Sequence, residues 1–393
     1  MQVFHTPSKI ILTCNKRLST YLKDEVEALG FPIKRIFSTG LELEGTVNDC
    51  IPLNINLRCV SQVLYSLGSF KAANPNELYE HLVTVEWEKL IDFSGYFSVT
   101  SNVNNEHILT PLFANVKVKD AIVDRIKSQK GIRPNSGPEL NKAVIHLYWQ
   151  DDEAEIFIDT SGETLAKHSY RKIPGKAPML EALAASTIMA TGWDKKSPFV
   201  NPMCGAGTLA IEAALLATDK PPGFFRMNYA FMHILGYEEQ VFFDQRRILK
   251  DKAIKTLPFK IIATDLSEDA VDISRKNAKT AGVDHLIDFA VCDFAETEVP
   301  EQPGVVFFNP EYGERLGVHN KLEATYKRIG DFMKQQCKGY KGYIFTGNPD
   351  LAKKIGLKAA RKIEFYNGKL DCRLLEYELY DGSKREPKPE AEE

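Results

Sequence analysis

The stretch Phe199-Val200-Asn201-Pro202-Met203-Cys204-Gly205-Ala206-Gly207-Thr208-Leu209 constrains the fold of this chain more than any other. Its apolar opening predicts a buried strand, and Gly205 and Gly207 mark a sharp turn. The run over 208–217, with Leu209, Ala210, Ile211, Ala213, Ala214 and Leu215, predicts a helix. Strand, glycine turn and helix in that order make a seat for a polar or anionic cofactor. The glycines let the backbone come close, and the helix N-terminus offers unpaired N–H groups and positive potential. Many nucleotides fit such a seat, so the position of the next carboxylate matters.

A dinucleotide fold needs a ribose-binding acid roughly 20 residues on, at the end of a second strand. Asp219 lies nearby but is followed by Pro221-Pro222-Gly223, which ends structure. The first strand that runs into an acid is Lys260-Ile261-Ile262-Ala263-Thr264-Asp265, much further along. This spacing argues against a nicotinamide cofactor on an uninterrupted first unit. A third strand ends in Phe289-Ala290-Val291-Cys292-Asp293-Phe294. A fourth, Val305-Val306-Phe307-Phe308, runs into Asn309-Pro310-Glu311-Tyr312-Gly313-Glu314-Arg315.

These strand ends, in order, resemble the layout of class I S-adenosylmethionine-dependent methyltransferases. The last is similar to the Asn-Pro-Pro-Tyr element of enzymes that methylate exocyclic amines, with Glu311 in place of the second proline. The chain resembles the family of bacterial THUMP-domain RNA (guanine-N2-)methyltransferases that act on 23S rRNA. The implied fold is α/β: a class I (Rossmann-like, seven-stranded) methyltransferase domain preceded by α+β ferredoxin-like and THUMP modules. The expected divisions are a ferredoxin-like module at 1–60, a THUMP RNA-binding module at 61–165 and the methyltransferase domain at 166–383. Residues 384–393 form a tail whose Pro, Glu and Lys content predicts disorder. On this division residues 166–393 should bind the cofactor without the rest.

The N-terminal half alternates strands and helices without a glycine-rich loop. Ile10–Cys14 is expected as a strand; Leu18, Leu22, Val26 and Leu29 then repeat at helical spacing. Strands over 33–37 and 41–43 precede an expected helix over 60–67 with Arg58 at its start. Segment 76–91 reads as helical, 95–100 as a strand, and 117–126 as a helix. Residues 142–149 and 153–159 form a hairpin closed by Asp151-Asp152. Leu57-Arg58, Lys117–Asp124 and 159–165 match the family. Lys167-His168-Ser169-Tyr170-Arg171 stands where it tends to read His-x-Arg-Gly-Tyr-Arg, and 177–190 matches its approach to the catalytic domain.

Residues 218–258 are too long for a simple connection. An extra helix packed on the catalytic sheet edge is expected there, with a substrate-facing cap as the alternative. Beyond Arg315 come a helix (322–337), a strand (342–346), a helix (351–355) and closing strands over 362–365 and 373–379, joined across Asn367-Gly368. This ending suits the methyltransferase sheet, whose last strand runs antiparallel.

The resemblance assigns roles. Gly205, Ala206 and Gly207 pass the methionine part of S-adenosyl-L-methionine, with Asn201 near its ammonium group. Asp is common at the Asn201 position; Asn keeps the hydrogen bonding and drops the charge. Asp265 accepts from both ribose hydroxyls, as strand-end carboxylates do, and Asp293 accepts from the adenine amino group. Phe294 or Cys292 lines the ring. Asn309, through its side-chain oxygen, and Pro310, through its carbonyl, hold the guanine amine, and Tyr312 stacks on the extracted base. Asn309 also borders the cofactor. Glu314 and Arg315 are expected to pair within the loop. Singly, each acid or turn here has the commoner role of a cap or an ordinary turn; their order carries the assignment.

Composition adds limits. The 393 residues are 44% hydrophobic, enough for more than one core. Net charge is −3, so an RNA partner must be met by local patches. Lys117, Lys119, Arg125, Lys127, Lys130 and Arg133 form one such set. Lys167, His168, Arg171, Lys172 and Lys176 form another, although charge runs are often only solvated faces. The seven cysteines are scattered without Cys-x-x-Cys, and no metal site is expected. No apolar stretch spans a bilayer and no signal peptide is evident, so the expected location is the cytoplasm. Structured RNA is the expected partner, rRNA first and tRNA second, without DNA or membrane; a DNA adenine methyltransferase would need a DNA-reading domain in place of 1–165. A non-catalytic RNA-binding factor that kept the fold is the alternative of another class.

Overall fold

Residues 2–105, 108, 110–175, 178–312 and 319–380 are described by the computed structural model. The chain divides into two compact units. The first comprises Met1–Tyr170, Leu180–Ser186 and Asp219–Ile254; the second comprises Arg171–Met179, Thr187–Thr218 and Lys255–Glu393. Glu314, Arg315, Lys176 and the 384–393 tail lie outside the described residues.

In chain order the first unit contains β1 (Ser8–Thr13), α1 (Ser19–Ala28), β2 (Ile33–Phe37), β3 (Gly40–Gly45), α2 (Val47–Asn56) and β4 (Gln62–Lys71). Then come α3 (Pro75–Leu82), β5 (Tyr96–Asn104), α4 (Pro111–Lys130), β6 (Asn135–Ser136), β7 (Ala143–Gln150) and β8 (Glu153–Asp159). The eight strands form one sheet in the order β2-β3-β1-β4-β8-β7-β5-β6. The sheet therefore runs unbroken across residue 60, with β4 antiparallel to both β1 and β8.

One local expectation fails here, and one helix went unread. Val60, Val63, Leu64 and Leu67 have helical spacing, yet Gln62–Lys71 is a strand. Val63, Leu64, Tyr65 and Ser66 are all buried, because a central strand covered on both faces loses the two-residue alternation. The helix lies earlier, at α2. Thr46 and Asp49 close a capping box at its start, with Thr46 N–H donating to Asp49 Oδ2 at 2.7 Å. Pro52 in its interior disguises it, since a proline there forfeits the bond to the Asn48 carbonyl and crowds it.

Asp159, at the end of β8, is fully buried. It accepts from Ser161 N–H (2.9 Å), Gly162 N–H (3.2 Å) and Gln62 Nε2 (2.7 Å). Burial outweighs these bonds and pushes its pKa up from 3.8 to about 6. Its contribution to stability is thus full below the unfolded value and is lost as pH rises through the folded one. Asp159→Asn should gain stability relative to the parent between pH 4 and pH 7, by about 3 kcal/mol. Denaturant titrations of both proteins across that range check it; a constant difference would show Asp159 to be unperturbed.

The insertion Asp219–Ile254, expected as part of the methyltransferase domain, groups with this first unit. Its backbone bonds to Thr160 O through Phe231 N–H (3.0 Å) and to Leu90 O through Leu235 N–H (2.9 Å). Tyr229 stacks on Phe231 with ring centroids 5.1 Å apart, and Phe242 meets Tyr229 edge-on at 5.9 Å. Arg226 donates to the carbonyls of Ser161 (2.6 Å) and Glu163 (2.8 Å). The aromatic cluster needs cover on all sides, and α2, β7 and β8 supply it.

The second unit's elements are β9 (Phe199–Pro202), α6 (Thr208–Ala217), β10 (Ile261–Asp265), α8 (Glu268–Thr280), β11 (Ile287–Val291), β12 (Val305–Phe308), α9 (His319–Gln336), β13 (Lys341–Thr346), α10 (Pro349–Lys353), β14 (Arg361–Asn367) and β15 (Leu370–Glu378). The numbering leaves α5 for Glu181–Ala190, which the division crosses, and α7 for Glu239–Lys252 of the insertion. Strand order is β11-β10-β9-β12-β13-β15-β14, and β15 runs antiparallel to both neighbours. Phe307 packs towards Phe199 and Tyr343 on one face, while Phe308 packs edge-on against Phe332 on the other. Among the described residues no helix is long and apolar enough to cross a membrane.

Candidate active site

The chain leaves β9 between β10 on one side and β12 on the other, which is where the strand order reverses. A crevice opens at such a switch point, outside the carboxyl ends of the strands. The loop that follows β9 turns through three left-handed residues, Met203 (φ 57°), Gly205 (φ 55°) and Gly207 (φ 79°). A Cβ at Gly205 would meet nothing within 4 Å, so its backbone is open to a ligand. A Cβ at Gly207 would stand 2.9 Å from Ser274 on α8, so only glycine lets that helix approach. Cys204 is buried there with its thiol pushed up to about 12 by burial, which leaves it a packing residue.

Asp265 does more than end a strand. Its Oδ2 accepts from Gly205 N–H at 2.9 Å and its Oδ1 from Ser267 N–H at 3.0 Å. The carboxylate thus braces the glycine turn while remaining partly exposed. Beside it Leu266 is 75% exposed, a large apolar side chain left in water at the mouth of the crevice. Leu266 was not anticipated, although an apolar residue directly behind a strand-end acid is a readable signal.

Asp293 accepts from Ala295 N–H (2.9 Å) and from Arg328 (2.7 Å) through Oδ1. Burial opposes its charge, but the Ala295 amide and the Arg328 guanidinium outweigh it and hold the carboxyl below its ordinary value. Arg328, from the distant α9, was not foreseen; it also lies 4.8 Å over the Phe294 ring. Phe294 is buried, edge-on against Phe308 and Phe332. Cys292 remains partly exposed.

Two amide oxygens of the second unit stand out. Asn201 is buried, and its Nδ2 donates to Phe307 O at 2.9 Å. Its Oδ1 has no hydrogen-bond partner among the described residues, and neither has the buried Oδ1 of Asn309. Buried acceptors left unpaired cost about 1–3 kcal/mol each. The pair occurs at neighbouring strand ends, since β9 and β12 run side by side. An ammonium and an amine are the donors such a site would take. Open backbone at Gly205 and orphan acceptors at Asn201 and Asn309 therefore fit S-adenosylmethionine and an amine substrate.

Residues 309–312, directly after β12, are held by several contacts. Pro310 is buried and Glu311 exposed. Tyr326 Oη donates to Glu311 O at 3.3 Å, and Asn348 Nδ2 donates to Tyr312 O at 3.3 Å. The Tyr312 hydroxyl accepts from Asn367 Nδ2 at 3.0 Å, and its ring meets Phe345 edge-on at 6.5 Å. Tyr312 thus presents a ring of fixed orientation. Asn348 and Asn367 follow in later elements, and no local pattern marks either as a partner of Tyr312.

The basic sets are dispersed. Arg125 pairs with Glu88 at 2.9 Å and Lys119 with Asp120 at 2.8 Å, so both serve α4 and its neighbours. Lys117 lies 5.9 Å over Phe113. Lys127, Lys130, Arg133 and Lys167 are exposed in the first unit. His168 is buried with Nε2 3.0 Å from Arg58 O. Arg171 and Lys172 belong to the second unit. Arg171 donates to Thr208 Oγ1 (2.9 Å) and Met179 O (2.5 Å).

The model of an RMKL-like methyltransferase domain matches residues 168–376, a THUMP domain matches 72–159 and an RlmL ferredoxin-like domain matches 9–64. The chain belongs to the RMKL-like methyltransferase family. It is 33% identical to the ribosomal RNA large subunit methyltransferase K/L of Syntrophotalea carbinolica, over 95% of this chain and 54% of that protein. It spans about half the length of the curated relatives it matches. SMU.472, solved in complex with SAH, shares 25% identity at a TM-score of 0.85, covering 96% of this chain and 99% of that one. A predicted N6-adenine-specific DNA methylase from Listeria monocytogenes str. 4b F2365 shares 28% identity at a TM-score of 0.85, covering 95% and 97%.

For a member of this family the brace at Asp265 has a measurable weight. Asp265→Ala should weaken S-adenosylmethionine binding by roughly 1–3 kcal/mol, the cost of leaving buried polar partners unpaired. Calorimetry checks this; unchanged affinity would remove Asp265 from the site.

Proposed function

We propose that this chain is an S-adenosylmethionine-dependent RNA methyltransferase that methylates the exocyclic N2 amine of a guanine in 23S ribosomal RNA. The observation that carries the reading is the pair of buried, unpartnered oxygens of Asn201 and Asn309 at the switch point. The name of the Syntrophotalea carbinolica relative supports ribosomal RNA over transfer RNA, and the SAH bound to SMU.472 supports the cofactor.

When bound, S-adenosylmethionine supplies an electrophilic methyl group on a cationic sulfur. Gly205, Ala206 and Gly207 border its methionine part, and Asn201 Oδ1 accepts from its ammonium group. Each Asp265 oxygen already accepts one N–H and keeps a lone pair for a ribose hydroxyl. Asp293 keeps Oδ2 for the adenine amino group, and Leu266 covers the adenine face. Asn309 Oδ1 and the Pro310 carbonyl hold the guanine amine, whose lone pair is delocalised and needs steering, and Tyr312 stacks on the base. No strong base is needed, since the proton can leave after the new bond forms; rate gain rests on positioning.

RNA presentation falls to residues 1–165, where Lys117, Lys127 and Arg133 are the cations best placed to meet phosphates, with Lys167 just beyond. Lys172 serves beside the crevice. The module bounds proposed are 1–60, 61–165 and 166–383. Mass mapping of modified nucleosides in rRNA and tRNA from a deletion strain tests the reading. One N2-methylguanosine should disappear from 23S rRNA and return with the wild-type gene. Intact rRNA with a loss in tRNA would overturn the ribosomal assignment.

A further inference from the structure

Helix α8 grips the glycine turn at several points. Ser274 Oγ donates to Gly205 O at 2.7 Å. One turn on, Asn277 is buried and makes four hydrogen bonds. Its Oδ1 accepts from Lys172 N–H (3.2 Å) and Ile173 N–H (3.3 Å), and its Nδ2 donates to Ile173 O (3.1 Å) and Ala206 O (3.3 Å). That is the full capacity of a side-chain amide. The segment Arg171–Gly175 is thereby strapped to the turn from both ends. Arg171 reaches Thr208 Oγ1 at 2.9 Å, and a Cβ at Gly175 would lie 3.2 Å from the Ala206 Cβ.

The turn needs such a clamp. Met203 holds φ 57° without being glycine, a conformation that surrounding structure must impose. Gly205 and Gly207 are conformationally permissive and lose the most freedom when held in one geometry. A turn not held beforehand would have to be ordered by the ligand, at the expense of affinity.

We propose that Asn277 is a positioning residue for the cofactor, tying the Arg171–Gly175 strap to the glycine turn and presetting that turn for binding. The proposal rests on the cofactor reading above and is independent of which RNA is methylated. In the full chain, Asn277→Ala should raise the dissociation constant for S-adenosylhomocysteine by about tenfold or more, as expected when buried amide and carbonyl groups lose their partner. The KM for S-adenosylmethionine should rise in parallel, with the KM for RNA changing less than about twofold. Gly175→Val, which pushes the strap away from Ala206 and leaves Asn277 untouched, should weaken binding in the same direction. Both are read by calorimetry well below the melting temperature, with near-ultraviolet circular dichroism confirming the fold. Should Asn277→Ala fail to fold, Gly175→Val alone decides. Parent-like affinity in a folded variant overturns the proposal whatever its melting temperature. Weakened cofactor binding in a chain that leaves RNA unmethylated would uphold it and overturn the substrate reading instead.

Discussion

Asn309→Ala is expected to lower methyl transfer by about 100- to 1,000-fold, the effect of removing one preorganised hydrogen-bond partner from a reacting centre. Cofactor affinity should stay within about twofold, because the proposed reading gives the amine to Asn309 and the nucleoside and methionine parts to Asp265 and the glycine turn. The reason lies in Asn309 Oδ1, which is buried and has no partner among the described residues. Single-turnover transfer to rRNA and calorimetry with S-adenosylhomocysteine measure the two quantities. Glu311→Pro should leave turnover within about tenfold, since Glu311 is exposed and its carbonyl, held by Tyr326, survives the change. Tolerance of Asn309→Ala together with loss in Glu311→Pro would make the acid the working group.

Removing residues 1–165 is expected to leave an insoluble fragment, not an isolated catalytic domain. The fragment 166–393 keeps the insertion Asp219–Ile254 but removes α2, β7 and β8, which cover it. Tyr229, Phe231, Ile234 and Phe242, all buried in the intact chain, would then face water. At about 1.5–3 kcal/mol for each large apolar side chain, the loss is about 6–12 kcal/mol. That is comparable with the whole stability of an ordinary domain. A second fragment, with 219–254 replaced by a short Gly/Ser linker, should be the more soluble of the two. Soluble yield and S-adenosylhomocysteine binding decide; a well-folded 166–393 fragment of native affinity would contradict the assignment of the insertion to the first unit.

Much of the second unit was legible without coordinates. Its strand ends follow one another as short apolar runs closed by Asn201, Asp265, Asp293 and Asn309, and each is a local pattern of strand and turn. The closing hairpin across Asn367-Gly368 was legible for the same reason. Failures occur where a residue's role depends on what packs against it. Val60 to Leu67 has the spacing of a helix, but β1 and β8 pair with the main chain there and make a strand. Pro52 suggests a break, yet the capping box and the buried face of α2 outweigh it.

Charge was the least legible quantity. A sequence shows a cation but not its partner, so Glu88 beside Arg125 and Thr208 beside Arg171 could not be foreseen. Arg328 on Asp293 and Asn277 on the strap escaped notice for the same reason. The sequence by itself determined the order of the strand ends and the residue types at the crevice, because backbone geometry there is set by near neighbours. Only the tertiary structure decided where the insertion packs, which cations remain available and what holds the glycine turn. Those outcomes depend on burial and hydrogen bonds between residues separated by tens to hundreds of positions, which no local pattern encodes.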